Sequence, residues 1–181
     1  YNPIENKLSI TSSAKFEINV NAELEAPVYK SEAYNEFLKN VLVGYQPTES
    51  LLSMRYLIIT APTFEAGLAS FINHKSAQGF TVDVFNTTTT GTTTTAIKTF
   101  IQNRYNDLGT RPEFILLVGD VQYIPSWIGT GEGNPNTDLN YAQLAGTDKF
   151  ADAFIGRFSV TTAQELTNAL AKSIYMESYI A

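Results

Sequence analysis

The chain has 181 residues, a formal charge of −6, one histidine and no cysteine. The length suits one domain, or one domain with a small appendage, and buries enough surface to fold without staples. Without thiols there is no disulfide framework, thiolate zinc site or cysteine nucleophile within these residues; the lone His74 excludes a two-histidine metal site, and the acidic balance offers no basic patch for nucleic acid.

No apolar run approaches the roughly 18 residues of a membrane span. The opening residues, Tyr1-Asn2-Pro3-Ile4-Glu5, carry no basic and apolar leader, so the sequence reads as starting after processing or inside a longer protein. Residues 1–25 alternate with period two: Leu8 and Ile10, then Phe16, Ile18 and Val20, with Thr11-Ser12-Ser13 as the break. This predicts a β-hairpin, which needs more chain to pack on. Residues 33–42 have i, i+3, i+4 spacing and predict a short helix, and residues 44–53, with Pro47, read as a linker. A first unit of residues 1–50 thus precedes a second of residues 51–181.

From Met54 the pattern alternates strand and helix. Residues 55–60, centred on Tyr56-Leu57-Ile58-Ile59, form a short apolar run suited to a strand covered on both faces. Pro62-Thr63 opens a helix, with Thr63 as N-cap, the stripe Phe64, Leu68, Phe71, Ile72 and Lys75, and Gly79 as its stop. Residues 80–85 are the next strand. The threonine runs around Gly91 are β-branched and read as a loop, entering a helix near Thr94 with the stripe Ala96, Ile97, Phe100, Ile101 and Tyr105. Residues 113–118 are the most apolar strand, closed by Gly119-Asp120. Residues 121–137 read as a long loop, 140–144 as a short strand and 153–157 as another strand. Thr162-Ala163-Gln164-Glu165 has the capping-box pattern and starts a last helix along Leu166, Ala169, Leu170, Ser173 and Ile174.

This alternation predicts an α/β fold: a mostly parallel sheet of flavodoxin-like order with flanking helices and the 55–60 and 113–118 strands central, preceded by the hairpin segment. Ligand-facing groups then belong beyond the carboxyl ends of the strands: Thr60, the threonine-rich segment, Asp120 with the loop after it, and the turn after Arg157.

Asp120 is a cation ligand or site organiser on one reading and a strand-end turn cap on the other. A phosphoacceptor role is rejected, because the first strand ends in Thr60-Ala61-Pro62 rather than an acidic pair. Asp148-Lys149-Phe150-Ala151-Asp152 places two carboxylates in a turn. With the Phe150 carbonyl they give Ca²⁺ three oxygens, and a carbonyl near Ala145 or Gly146 adds a fourth; the plainer reading is a solvated turn. His74 lacks an evident nucleophile or orienting carboxylate and reads as a helix-surface histidine. Trp127 and Tyr123 line a groove or cover the sheet edge, and covering is favoured. Asn86-Thr87-Thr88 matches a glycosylation triplet, a pattern too short to say much. Gly129-Thr130-Gly131-Glu132-Gly133 has acid where a phosphate loop needs donors.

Taken in order, Tyr56-Leu57-Ile58-Ile59-Thr60, Lys75-Ser76-Ala77-Gln78-Gly79-Phe80, Ala96-Ile97-Lys98-Thr99-Phe100-Ile101, Leu116-Leu117-Val118-Gly119-Asp120, Asp148-Lys149-Phe150-Ala151-Asp152 and Phe154-Ile155-Gly156-Arg157-Phe158-Ser159 resemble the amino-terminal half of the gingipain catalytic domain. Gingipains are secreted cysteine endopeptidases of the caspase-like clan. The resemblance covers about residues 54–180, and the 1–25 hairpin resembles the tail of that family's propeptide. It implies a caspase-like fold in two subdomains, of which this chain holds the first. The family's catalytic His stands between glycines and its Cys follows later, both in the second subdomain, so neither maps onto a residue here and the chain by itself is expected to be inactive. The resemblance further implies Ca²⁺ held by Asp148 and Asp152, with carbonyls of Ala145 and Phe150, and a second calcium position at Asp120. Asp152 stands where the family often has Glu. It also implies a polypeptide substrate for the full-length enzyme, and a secreted or cell-surface location. Two other functions fit the residues: a non-catalytic binding or structural module of the same fold, and a small-molecule-binding flavodoxin-like domain.

Overall fold

The computed structural model describes Glu5, residues 39–44 and residues 54–180. The hairpin expected over 1–25, apart from Glu5, and most of the linker lie outside the described residues, as does the expected helix apart from residues 39–42, of which 39–41 are helical.

Strand β1 (Arg55–Thr60) is buried from Leu57 onward. Period two divides its side chains between two cores, with Leu57 and Ile59 on one face of the sheet and Ile58 on the other. A helical segment follows: α1 (Pro62–Glu65), a 3₁₀ turn (Ala66–Leu68) and α2 (Ala69–Ala77). Its N-cap is Ala61 rather than Thr63. Pro62 takes the first helical position, where its fixed φ suits the helix and no N–H is needed.

Strand β2 (Thr81–Asn86) begins one residue later than its pattern predicts. The threonine run after it is not all loop. Thr87–Thr90 form one helical turn, α3, because Asn86 Oδ1 accepts the Thr88 N–H at 3.0 Å and satisfies an end that β-branching alone disfavours. Helix α4 (Thr94–Asn106) starts where expected, capped by Thr93 Oγ1 accepting from the Ala96 N–H.

Strand β3 (Phe114–Val118) is followed by a two-stranded antiparallel ribbon, β4 (Trp127–Ile128) and β5 (Asn136–Thr137), inside the segment predicted as loop. The short strand expected over 140–144 is instead a helical turn, α5 (Leu139–Ala142). Thr137 Oγ1 accepts the Leu139 N–H, and the turn drives Tyr141 fully into the core, which overrides the local β pattern. Strand β6 (Phe154–Phe158) leads to α6 (Ala163–Ile180). There the capping box forms as predicted: Glu165 Oε2 accepts from the Thr161 and Thr162 N–H groups, and Thr162 Oγ1 accepts from the Glu165 N–H. Those bonds hold the Glu165 carboxyl below the usual carboxylate range.

The sheet is parallel throughout, in the order β2-β1-β3-β6, with β1 and β3 central. One face packs on α4 and α5 through Leu57, Ile59, Ile97, Ile101, Leu117 and Tyr141. The other packs on α2 and α6 through Ile58, Phe71, Leu116, Val118, Leu166 and Leu170. Helices on both faces explain why the central strands are continuous apolar runs.

Candidate functional site at the carboxyl edge of the sheet

Asp120 stands on the crest of the sheet, where β3 ends. Its N–H donates to the Val160 carbonyl at 3.0 Å, and its own carbonyl accepts from the Tyr123 and Ile124 N–H groups at 2.8 and 3.0 Å. The preceding Gly119 has φ of +133°, and a Cβ there would stand 3.1 Å from the Tyr123 Cβ, so glycine alone permits this sharp exit from the strand. The Asp120 side chain makes no hydrogen bond among the described residues and is half-buried.

Arg157 organises this edge, and the sequence reading saw it only as a strand residue. Its Nε and Nη2 donate to the two carboxylate oxygens of Asp138 at 2.8 and 2.7 Å, while Nη1 donates to the Gly119 and Ile124 carbonyls at 2.7 and 2.8 Å. One side chain of 8% exposure therefore ties β6, the β3 exit and the segment before α5 into a single unit. A strongly polar residue inside an otherwise apolar strand is the signal that could have found it, since such a residue is rarely buried unpaired. Trp127 and Tyr123 cover rather than line a groove: Trp127 meets Tyr141 edge-on at 4.6 Å and Tyr123 meets Phe64 edge-on at 5.2 Å.

The 143–152 loop is folded by its own carboxylates. Asp152 Oδ2 accepts from the Leu144 and Ala145 N–H groups at 2.6 and 2.8 Å, and Asp148 Oδ1 accepts from the Phe150 N–H at 2.9 Å. Helix α4 clamps the loop from the inside: Lys98 Nζ donates to the Gln143 carbonyl and Gln102 Nε2 to the Leu144 carbonyl. Burial pushes the Lys98 ammonium down, against the pull of Asp152. Asp148 Oδ2, Asp152 Oδ1 and the carbonyls of Ala145 and Phe150 carry no hydrogen bond among the described residues. These are all hard oxygen donors, a set that fits Ca²⁺ in chemistry. Asp120 does not join them: among the described residues no three of His, Asp and Glu converge as a metal site.

His74 has a partner that the sequence reading missed. Its Nε2 lies 2.8 Å from Glu177 Oε2 on α6, with Lys75 Nζ on Oε1 at 2.8 Å and Gln78 Nε2 on Oε2 at 3.3 Å. Glu177 follows by about a hundred residues, and only the packing of α6 on α2 brings it there. Burial pushes the Glu177 carboxyl up, but the bonds from Lys75, His74 and Gln78 outweigh it and hold the group low. Lys75 is itself buried under Tyr56, Phe71 and Phe80, its ammonium 5.1 to 5.5 Å from each ring. Burial and the nearby Glu177 raise the Tyr56 phenol to about 12. This cluster ties two helices together at the far end of the sheet, and among the described residues no nucleophile bonds to the imidazole.

A model of peptidase family C25 matches residues 49–181. Gingipain R2 of Porphyromonas gingivalis is 28% identical over 193 residues, which cover 99% of this chain and 26% of that protein. Lys-gingipain of the same species is 28% identical, covering 98% of this chain and 11% of its own length. Among solved structures, the Arg-specific cysteine proteinase gingipain R superposes with a TM-score of 0.63 at 29% identity, over 72% of this chain and 30% of that one. A complex of the pro- and mature domains of RgpB superposes with a TM-score of 0.62 at 28% identity, over 67% of this chain and 28% of that one. The chain thus spans about a quarter or less of the length of these curated relatives.

Proposed function

Because the chain belongs to peptidase family C25, we propose that it is the amino-terminal part of a secreted gingipain-like cysteine endopeptidase, the structural and calcium-binding half, whose catalytic His and Cys belong to polypeptide outside this chain. The observation that carries the reading is the edge strand β6. It is one of the two edge strands of the parallel sheet, Phe154 on it is 64% exposed, and a Cβ on Gly156 would meet nothing within 4 Å. An uncovered edge normally carries a guarding lysine, proline or bulge. Here the run is Phe-Ile-Gly-Arg-Phe, and its arginine is turned away to Asp138. Such an edge is built to be covered by more of the same domain.

In the complete enzyme a Cys thiolate assisted by His would attack a peptide carbonyl. This half would brace that centre through the Arg157 unit and border the polypeptide groove with the 121–137 segment. Residues 1–50 would be the propeptide tail, supported by the gingipain R2 match, which reaches past the family segment to 99% of the chain. The second reading, a non-catalytic module of the same fold, draws on the absence of cysteine and on a sole histidine already engaged by Glu177. The gene decides between them. Expressed with the polypeptide that follows it, the chain is expected to hydrolyse peptides, and the activity should vanish when the following cysteine is replaced. A continuation without a Gly-His-Gly and a later cysteine would end the peptidase reading.

Calcium belongs to the same proposal: Asp148 and Asp152 would hold it with the carbonyls of Ala145 and Phe150, and Asp120 would contribute to a separate position. The ion would cross-link the 145–152 loop and take no part in the chemistry. Millimolar Ca²⁺ is expected to raise the melting temperature by mass action on the folded state. Asp148→Ala should abolish that rise, and an undiminished rise in the variant would refute the assignment.

A further inference from the structure

We propose that the exposed threonines after β2, namely Thr88, Thr89, Thr92 and Thr95, are acceptors for O-linked neutral sugars. Eight of the nine residues from 87 to 95 are threonine, and the fold accounts for only some of them. Thr87 and Thr90 are buried, with the Thr90 hydroxyl donating to the Gly91 carbonyl at 3.1 Å. Thr93 caps α4. Gly91, with φ of +88°, has room for no side chain, since a Cβ would stand 2.6 Å from that of Ala96. Of the five other threonines, Thr94 is half-buried in the first turn of α4; the remaining four are exposed, and among the described residues their hydroxyls make no hydrogen bond. Three of the four occupy helical positions, Thr88 and Thr89 in α3 and Thr95 in α4, where β-branching works against the observed conformation. These exposed side chains have no packing to return that loss, and their hydroxyls stand open to a partner from outside the chain.

Two other modifications fit worse. The Asn86 amide is already consumed: Nδ2 donates to Glu65 Oε2 at 2.6 Å while Oδ1 caps Thr88, so an N-linked glycan would break both bonds. Phosphate would place dianions beside Glu65 on a chain of charge −6, with no lysine or arginine between Lys75 and Lys98 to pair them. A neutral sugar adds no charge and needs no partner but water. In the transfer, the threonine Oγ1 attacks the anomeric carbon of a nucleotide- or lipid-phosphate-activated sugar. The C–O bond to the activating phosphate breaks, the phosphate leaves with the bonding pair, and the hydroxyl proton goes to the transferase base.

Trypsin releases the whole segment as the single peptide 76–98, bounded by Lys75 and Lys98. Protein purified from its native source should yield this peptide with one or more added hexose or N-acetylhexosamine masses. Electron-transfer fragmentation should place them on the four named threonines, and a variant with all four changed to alanine should lose them. Recovery at the unmodified mass alone overturns the proposal, as does a phosphate increment or a sugar placed on Asn86.

Discussion

Arg157→Ala is expected to destabilise the domain by about 3 kcal/mol, the lower end for breaking a buried ion pair. The substitution removes both bonds to Asp138 and both main-chain bonds to Gly119 and Ile124, and it strands a carboxylate in a half-buried setting. Asp138 retains 22% exposure, and the water there holds the effect to the lower end of the range. Arg157→Lys should recover only part of the loss, because an ammonium keeps the charge but cannot span both carboxylate oxygens and two carbonyls at once. Urea denaturation measures both variants. A loss below about 1 kcal/mol for Arg157→Ala, the size of a surface pair, would show that this side chain does not pin the carboxyl edge.

Tyr141→Ala should cost about 4 kcal/mol through the cavity it leaves. Tyr141 is fully buried, fills the space between α4 and the β4–β5 ribbon, and supports Trp127 edge-on. Its hydroxyl donates to the Pro125 carbonyl, and burial holds the phenol far above its ordinary value, so it stays protonated over the accessible pH range. Tyr141→Phe keeps the ring and should cost only about 1 kcal/mol, the loss from one unmade buried hydrogen bond. Trp127 is the chain's sole tryptophan, so its fluorescence reports the ribbon directly. In Tyr141→Ala the emission should shift to the red in the folded state, and in Tyr141→Phe it should stay near wild type. An unshifted Tyr141→Ala spectrum would mean that the ribbon is held by other contacts.

The sheet was legible because burial on both faces imprints a continuous apolar run. Tyr56-Leu57-Ile58-Ile59 and Phe114 to Val118 have no other reasonable reading, and their parallel pairing follows from the helices between them. The last helix was legible because Thr162 and Glu165 answer one another within a single turn. The threonine run and residues 140–144 were misread, since local β-propensity was outweighed by one capping side chain at Asn86 and by the burial of Tyr141.

The site divides in the same way. Asp120, Asp148 and Asp152 are visible from position and spacing, because a strand end and a turn are local features. Arg157 with Asp138, and His74 with Glu177, join residues about twenty and about a hundred positions apart, and no local pattern carries that information. The order of the sheet, its two cores and the acidic loop were thus determined by the residues themselves through period, propensity and capping. Which charges meet was decided only by the tertiary structure, because a hydrogen bond acts over about 3 Å and distant segments reach that range only after the helices have packed.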